Sequence, residues 1–545
     1  MDAQASRVNP PSGALTAQAA AAARHQRYRA AGWWPGEPLL ERYLRLAAAR
    51  PDALAVADSR SRKLSHAQLL SQASRFAREL AEAGVGPGDI VLIAMPNCVE
   101  WQAMFVAVFL LDAVPATIPM RIDPANLAYV VDLIRARAVV VPDGEASKGL
   151  DAIALDVAGR CAHAVTLVLV ATDGALRRHA AAARRPAEKF GYRDLDHVAF
   201  TSSTTGRPKA VMHSADTIAA LNVGFSERFG LDAEAAIFMA SPLGHSVGAY
   251  HGARLAMFNA APLILQERWD PEAAIRMIED YRCAFTSAAT PFLDDLVQAP
   301  KPQHGDKLAS LRWFLCGGAQ VSPALMDRAA EEFPRSRVTV LWGMTEGGVT
   351  TCHGQSPREK LRTTAGVGLP GLELRTIDGN GAALPPGTEG ELVMRGPGVF
   401  LGYLGQPDLY ASLLTPEGFF RTGDRAVVDA EGYVSITGRE KDLIIRGGVN
   451  ISPVPIEDAL SAHPNIASVA VIGAPDPRMG ELLCAVIEPR GRRVELGELQ
   501  QFIRRCGLPK YLAPERIHFV EAMPRTPSGK IRKVELRPLV SGASR

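Results

Sequence analysis

Residues 201–212 read TSSTTGRPKAVM. Five hydroxyl residues in a row, Thr201, Ser202, Ser203, Thr204 and Thr205, are followed by Gly206, a fixed Pro208 and the cation Lys209. Small polar residues of this kind usually make surface turns. Position argues for more here. His197-Val198-Ala199-Phe200 reads as the end of a strand, and Ala210 to Leu221 returns to apolar residues. A small-residue loop between two ordered elements suits a phosphate: backbone N–H groups and hydroxyls donate, and a lysine neutralises. The pattern G-x-x-x-x-G-K-S/T is not matched, so the ordinary P-loop arrangement is excluded.

Outward from the loop, short β-branched runs alternate with helical ones. Asp89 to Ala94, Ala138 to Val141 and Val165 to Val170 are continuous apolar runs, which suit strands covered on both faces in a parallel sheet. Ser65 can cap a helix carrying Leu69, Ala73, Phe76, Leu80 and Ala83 on one face, with Gly84 ending it. The expected class is α/β. From about residue 360 to 438 the chain is dense in glycine and proline, with short alternating strands, and reads as a β-rich subdomain. After Arg439 a small α+β module is expected, with strands near Ser468–Gly473, Leu483–Glu488 and Ile517–Phe519 and a helix near Leu496–Cys506. The expected division is a leader over 1–36, poorly ordered or loosely helical; a large domain over 37–438; a hinge at 439–442; and a small domain over 443–545.

Bulk properties exclude several classes. The chain has 545 residues and a net charge of +2, which gives no field for nucleic acid. Seven scattered cysteines without CxxC suggest reduced thiols and a cytoplasmic protein. The longest apolar run, Ala103–Leu111, falls short of the ~20 residues a membrane span needs. No signal peptide is expected. The basic cluster Arg177, Arg178, Arg184 and Arg185 reads as a solvated linker.

Four more motifs share the chain with the hydroxyl loop: Trp342-Gly343-Met344-Thr345-Glu346; Phe420-Arg421-Thr422-Gly423-Asp424; Gly438 to Ile451, which contains Arg439, Lys441 and Arg446-Gly447-Gly448; and Pro524 to Lys530. Together and in this order they resemble the adenylate-forming enzymes, which include acyl-CoA synthetases, adenylation domains of peptide synthetases and luciferases. The resemblance spans roughly residues 40–540. It implies a ligase that uses ATP, Mg²⁺ and coenzyme A: a carboxylate attacks the α-phosphate to give an acyl-adenylate and pyrophosphate, and a thiol then displaces AMP.

The resemblance also implies roles residue by residue. Lys530 is the catalytic lysine bridging carboxylate and phosphate, a compact point charge on a flexible stem. Thr201, Ser202, Ser203, Thr204, Thr205, Gly206 and Lys209 wrap the β- and γ-phosphates. Glu346 holds Mg²⁺, Thr345 meets the α-phosphate, and Trp342 stacks on adenine beside Gly343 and Met344. Asp424 and Arg439 hold the ribose hydroxyls. Gly318, Ala319 and Gln320 floor the adenine and acyl sites. His245 lies near the carboxylate entry as gate or orienter, since a carboxylate is already ionised. The small domain is expected to be mobile and to rotate about Lys441 between half-reactions, bringing the tunnel residues Arg446, Gly447 and Gly448 to the thiol. The loop departs from the usual T-S-G-T-T-G-x-P-K-G at Ser203 and Ala210. A non-glycine held at φ > 0 would cost roughly 1–2 kcal/mol, so the loop is expected to stay competent. Ala210 is expected where the loop joins a strand, its methyl crowding a neighbour.

The acid is expected to meet His245 to Tyr250, Thr286 to Phe292, Gly317 to Ala319 and Trp342 to Met344, with His245, Tyr250, Gly318 and Met344 in the pocket. Gly244, Gly248, Ala249, Ala288 and Ala289 are small and uncharged, which excludes an amino acid, whose ammonium would want an Asp. Tyr28 to Trp34, with the 342–347 core, is similar to ligases for cyclohexanecarboxylate-like and medium-chain acids. The expected substrate is therefore a cyclic or medium-chain hydrophobic monocarboxylate. The alternative is a free-standing aryl- or acyl-acid adenylating enzyme that loads a carrier protein's phosphopantetheine in trans. A monomer or homodimer is expected, with no nucleic acid and no membrane span.

Overall fold

The computed structural model describes residues 23–180, 188–190, 194–201, 207–300, 307–318, 321–526 and 529–541. Two large sheets dominate it. In one, Ile90–Ile93, Val114–Thr117, Ala138–Pro142, Thr166–Val170 and Leu195–Thr201 run parallel. In the other, Leu54–Asp58, Leu263–Leu265, Ile237–Met239, Phe285–Ala289, Trp313–Gly317 and Arg337–Gly343 run parallel. Their interior strands are buried along almost every residue, as expected of sheets covered on both faces.

Helices fill the layers. His66–Glu82 starts at Ser65 with a complete capping box to Gln68 and buries Leu69, Ala73, Phe76 and Leu80. The apolar run that begins at Ala103 belongs to helix Val99–Leu110, buried on every side between layers, as an all-round hydrophobic helix must be. Among the described residues no helix is long and apolar enough to cross a membrane.

Residues 373–439 form an antiparallel sheet of Glu373–Ile377, Glu389–Arg395, Phe420–Val428 and Val434–Arg439. After it comes a separate sheet in which Ile466–Asp476 and Gly480–Pro489 pair antiparallel and Arg516–Phe519 adds in parallel. It is flanked by helices Val454–Ser461, Leu496–Arg505 and Lys533–Ser541. The architecture is thus α/β with a C-terminal sheet-rich region.

Two expectations change. Residues 23–30 are helical, and Tyr28 and Trp34 are buried, with the Trp34 indole N–H donating to the Pro397 carbonyl at 2.9 Å. This part of the expected leader packs on the body of the molecule because its aromatics find apolar partners there. Arg177 and Arg178 belong to no linker. They lie on Leu176–Ala180, an edge strand antiparallel to Thr166–Val170. Arg177 pairs with Asp143, and Arg178 with Glu79 and Glu82. Charged side chains on an edge strand keep it from pairing further. Arg184 and Arg185 fall outside the described residues.

Candidate active site

Three neighbouring parallel strands end together at Ala289, Gly317 and Gly343. Ligands of open α/β sheets sit beyond such carboxyl ends. A cavity of about 660 Å³ opens there, lined also by Thr201 and Lys209 from the first sheet, Asp424 and Arg439 from the antiparallel sheet, and Lys441 and Lys530 from the C-terminal part of the chain.

The hydroxyl loop spans an antiparallel pair whose register sets Thr201 opposite Lys209 and Phe200 opposite Ala210. Ser202, Ser203, Thr204, Thr205 and Gly206 lie outside the described residues, as do Ala319 and Gln320. Lys209 holds its ammonium 5.0 Å from the centre of the Tyr403 ring. Ala210 does sit in the strand, as expected. It is buried in the core with Met212 and Leu404.

Tyr403 was missed by sequence reasoning, because a tyrosine in a glycine-rich segment gives no signal. Its O–H donates to Glu346 Oε1 at 2.7 Å. Burial raises the Glu346 carboxyl, and the Tyr403 bond opposes that. Thr345 donates to Ser246 Oγ at 3.2 Å, while the neutral ring of His213 donates from Nε2 to the Thr345 carbonyl at 2.9 Å. Burial pushes His213 down to about 4. His213 is a second unforeseen support. Nothing in its strand distinguishes it from a core histidine.

Asp424 and Arg439 are cross-strand partners, with Nε to Oδ1 at 2.9 Å. The other carboxylate oxygen accepts from the Trp342 indole N–H at 2.8 Å. Trp342 is buried and is not part of the cavity wall, which at this point is Gly343 and Met344. Its indole is thus engaged with Asp424 in this arrangement. The strand's alternation turns residue 342 inward, where it orients Asp424.

Lys530 arrives on a turn closed by Thr526, whose Oγ1 accepts from the Lys530 N–H at 3.1 Å. A Cβ placed on Gly529 would lie 3.6 Å from Ala289 Cβ and 3.4 Å from Pro291 Cγ, so the turn rests on a strand end. The lysine stem passes Gly318. A side chain there would stand 3.2 Å from Lys530 Cε, and its φ of +81° already favours glycine. Burial lowers the ammonium to about 8. Arg439 and Lys441 add to that, and Asp424 and Glu346 oppose it. Burial, with Lys530 nearby, pushes His245 down to about 4. Its Nδ1 accepts from the Val247 N–H at 3.3 Å, so the neutral ring keeps its proton on Nε2 as a donor.

Other expected residues are not gathered here. Arg446 forms a two-point ion pair with Glu515 at 2.8 and 2.9 Å. Gly447 and Gly448 turn an exposed hairpin and do not line the cavity. Gly244 and Gly248 do not line it either. A Cβ on them would fall 2.0 Å from the Ile118 carbonyl oxygen and 2.2 Å from that of Pro242, so both exist for close backbone packing. Where the acid was expected to lie, the cavity wall is more polar than expected, with Ser241, Ser246, Tyr250, His251 and Ser287 as well as Ala288 and Ala289.

The model of the AMP-binding enzyme family matches residues 44–404, and that of its C-terminal domain matches residues 455–530. The chain is 31% identical to the medium-chain fatty-acid–CoA ligase of Escherichia coli (strain K12), over 94% of this chain and 92% of that protein. It is 33% identical to a feruloyl-CoA synthase of an Amycolatopsis species, over 93% and 98%. Among solved structures, ATP-bound MatB from Rhodopseudomonas palustris, 27% identical, superposes with a TM-score of 0.80 over 93% of this chain and all of that one. The apo form of that enzyme gives 0.69.

Proposed function

The chain belongs to the AMP-binding, adenylate-forming enzymes and is an AMP-forming acid–CoA ligase, and from that premise we propose that it activates a cyclic or medium-chain hydrophobic monocarboxylate. The convergence of Lys530, Glu346, Asp424 and Arg439 on one cavity at the strand ends carries the adenylating chemistry, and the 31% identity to a medium-chain fatty-acid–CoA ligase supports the choice of acid. In the first step a carboxylate oxygen attacks the α-phosphorus, the bond to the β-phosphate oxygen breaks, and pyrophosphate leaves. Two anions must approach each other, so preorganised cations lower the barrier most. Lys530 supplies the charge at the reacting centre, Lys209 the charge toward the pyrophosphate half. Asp424, fixed by Trp342 and Arg439, accepts from ribose hydroxyls. The Glu346 carboxylate is the hard oxygen donor suited to Mg²⁺.

In the second step a thiol sulfur attacks the acyl carbon, the bond to the AMP oxygen breaks, and the thiol proton goes to solvent. Residues 439–442 serve as the hinge, with Lys441 as the pivot, between the domain over 37–438 and the one over 443–545. Lys530 lines the cavity in this structure, which supports an adenylation arrangement here. The exposed Gly447–Gly448 turn then reaches the site only after rotation. Pyrophosphate release on a panel of carboxylic acids with Mg·ATP tests the first step. Adding CoA, or a phosphopantetheinyl carrier protein instead, identifies the acceptor. A panel in which no acid elicits release would overturn the reading.

A further inference from the structure

One buried polar pair in the cavity has no part in the steps above. His251 lies in the wide helical turn Val247–Arg254 and Ser287 on strand Phe285–Ala289, and both line the cavity while being only 5% and 2% exposed. His251 Nδ1 and Ser287 Oγ are 3.0 Å apart. Phe225 packs on the imidazole with ring centroids 4.5 Å apart, which fixes the ring's plane. Burial, with a smaller contribution from His245, pushes the ring down to about 3, so it is neutral at working pH.

With Nδ1 engaged by Ser287, Nε2 is the remaining polar atom of the ring. His251 lines the cavity, so Nε2 is the ring atom left to meet a bound molecule there. The serine can donate to Nδ1 or accept from it, so Nε2 can present either an N–H or a lone pair. The same cavity is also lined by the apolar Leu221, Leu341 and Val349.

We propose that the acid carries a neutral oxygen function, a hydroxyl or a carbonyl, on its hydrophobic body, and that His251, set by Ser287, reads it. This rests on the ligase reading and narrows its substrate class. An unsubstituted acid would cover Nε2 and leave it unpaired, whereas an oxygenated one satisfies it. A site built to hydrogen-bond a substrate group discriminates strongly against the analogue that lacks it. Among the described residues no lysine or arginine is hydrogen-bonded to His251 or Ser287, and His245 is the titratable neighbour His251 feels, so the group is neutral.

The test compares kcat/KM for acid-dependent pyrophosphate release over matched sets: cyclohexanecarboxylate with its hydroxy and oxo derivatives, benzoate with the hydroxybenzoates, and octanoate with hydroxy- and oxo-octanoates. The expected result is that at least one oxygenated acid exceeds its parent by roughly tenfold or more. His251→Leu should bring that ratio to within about threefold, through a higher KM for the oxygenated acid, while the parent is still turned over. Ser287→Ala, a smaller change at the same pair, should weaken the preference in the same direction and guards against a folding defect in the first variant. Preference for every unsubstituted parent, or a preference that survives both substitutions, would overturn the proposal while leaving the ligase reading intact. Pyrophosphate release from none of these acids would overturn both.

Discussion

Lys530 sits among two cations and two carboxylates, and that setting fixes how the first half-reaction depends on pH. Its folded-state value of about 8 lies below that of an ordinary lysine, so the ammonium is lost as pH rises through that value. Since kcat/KM reports the free enzyme, adenylation measured by pyrophosphate release should be flat below about pH 8 and fall about tenfold per unit well above it. Lys530→Ala should lower adenylation by ~100-fold or more, the scale of losing one charge-stabilising donor at a transition state, and yet leave supplied acyl-adenylate able to react with CoA. A Lys530→Ala enzyme that keeps the alkaline limb would show that another group titrates. Tyr403 gives a second residue-level expectation. Tyr403→Phe keeps the ring beneath Lys209 but removes the donor to buried Glu346. Half-maximal Mg²⁺ and ATP concentrations should rise by about tenfold with less change in kcat, and a Mg²⁺ titration checks it. An unchanged titration would mean that Glu346 needs no such support.

At the scale of elements, the hairpin Ile444–Arg446 with Val449–Ile451 turns through Gly447 and Gly448, both at positive φ. In this arrangement nothing lies within 4 Å of a Cβ added to Gly448. Gly448→Leu should therefore cost only ~1–2 kcal/mol of backbone strain, spare single-turnover adenylate formation and block thioester formation. Loss of both half-reactions together would count against separate roles for the two faces. Elements also show how far the chain could be read unaided. The capping box at Ser65, the buried parallel strands and the helix Leu496–Arg505 were legible because periodicity and cap chemistry are local. The edge strand Leu176–Ala180 was not. Its arginines look solvated until Asp143, Glu79 and Glu82, distant in sequence, come alongside.

For the molecule as a whole, the seat of Gly529 on Ala289 provides a direct handle on domain movement. The 3.6 Å between Ala289 Cβ and a Cβ placed on Gly529 lies within disulfide range. An Ala289→Cys, Gly529→Cys double variant, with the exposed Cys506 replaced by Ser, should form one acyl-adenylate per enzyme when oxidised and no acyl-CoA. Reduction should restore turnover. Steady production of acyl-CoA by the fully oxidised form would contradict a rotation between steps.

The sequence alone determined the α/β class and the adenylating family, and it nominated the polar residues for that chemistry, since motif order and short-range spacing are properties of the chain itself. Tertiary structure decided which of those residues meet. Trp342 is buried and its indole N–H meets Asp424, a residue on a different sheet. Gly244 and Gly248 proved to be packing contacts. Tyr403, His213 and the His251–Ser287 pair entered the site only through folding. Their chemistry depends on burial and on partners dozens to more than a hundred residues away, and neither is written in local spacing.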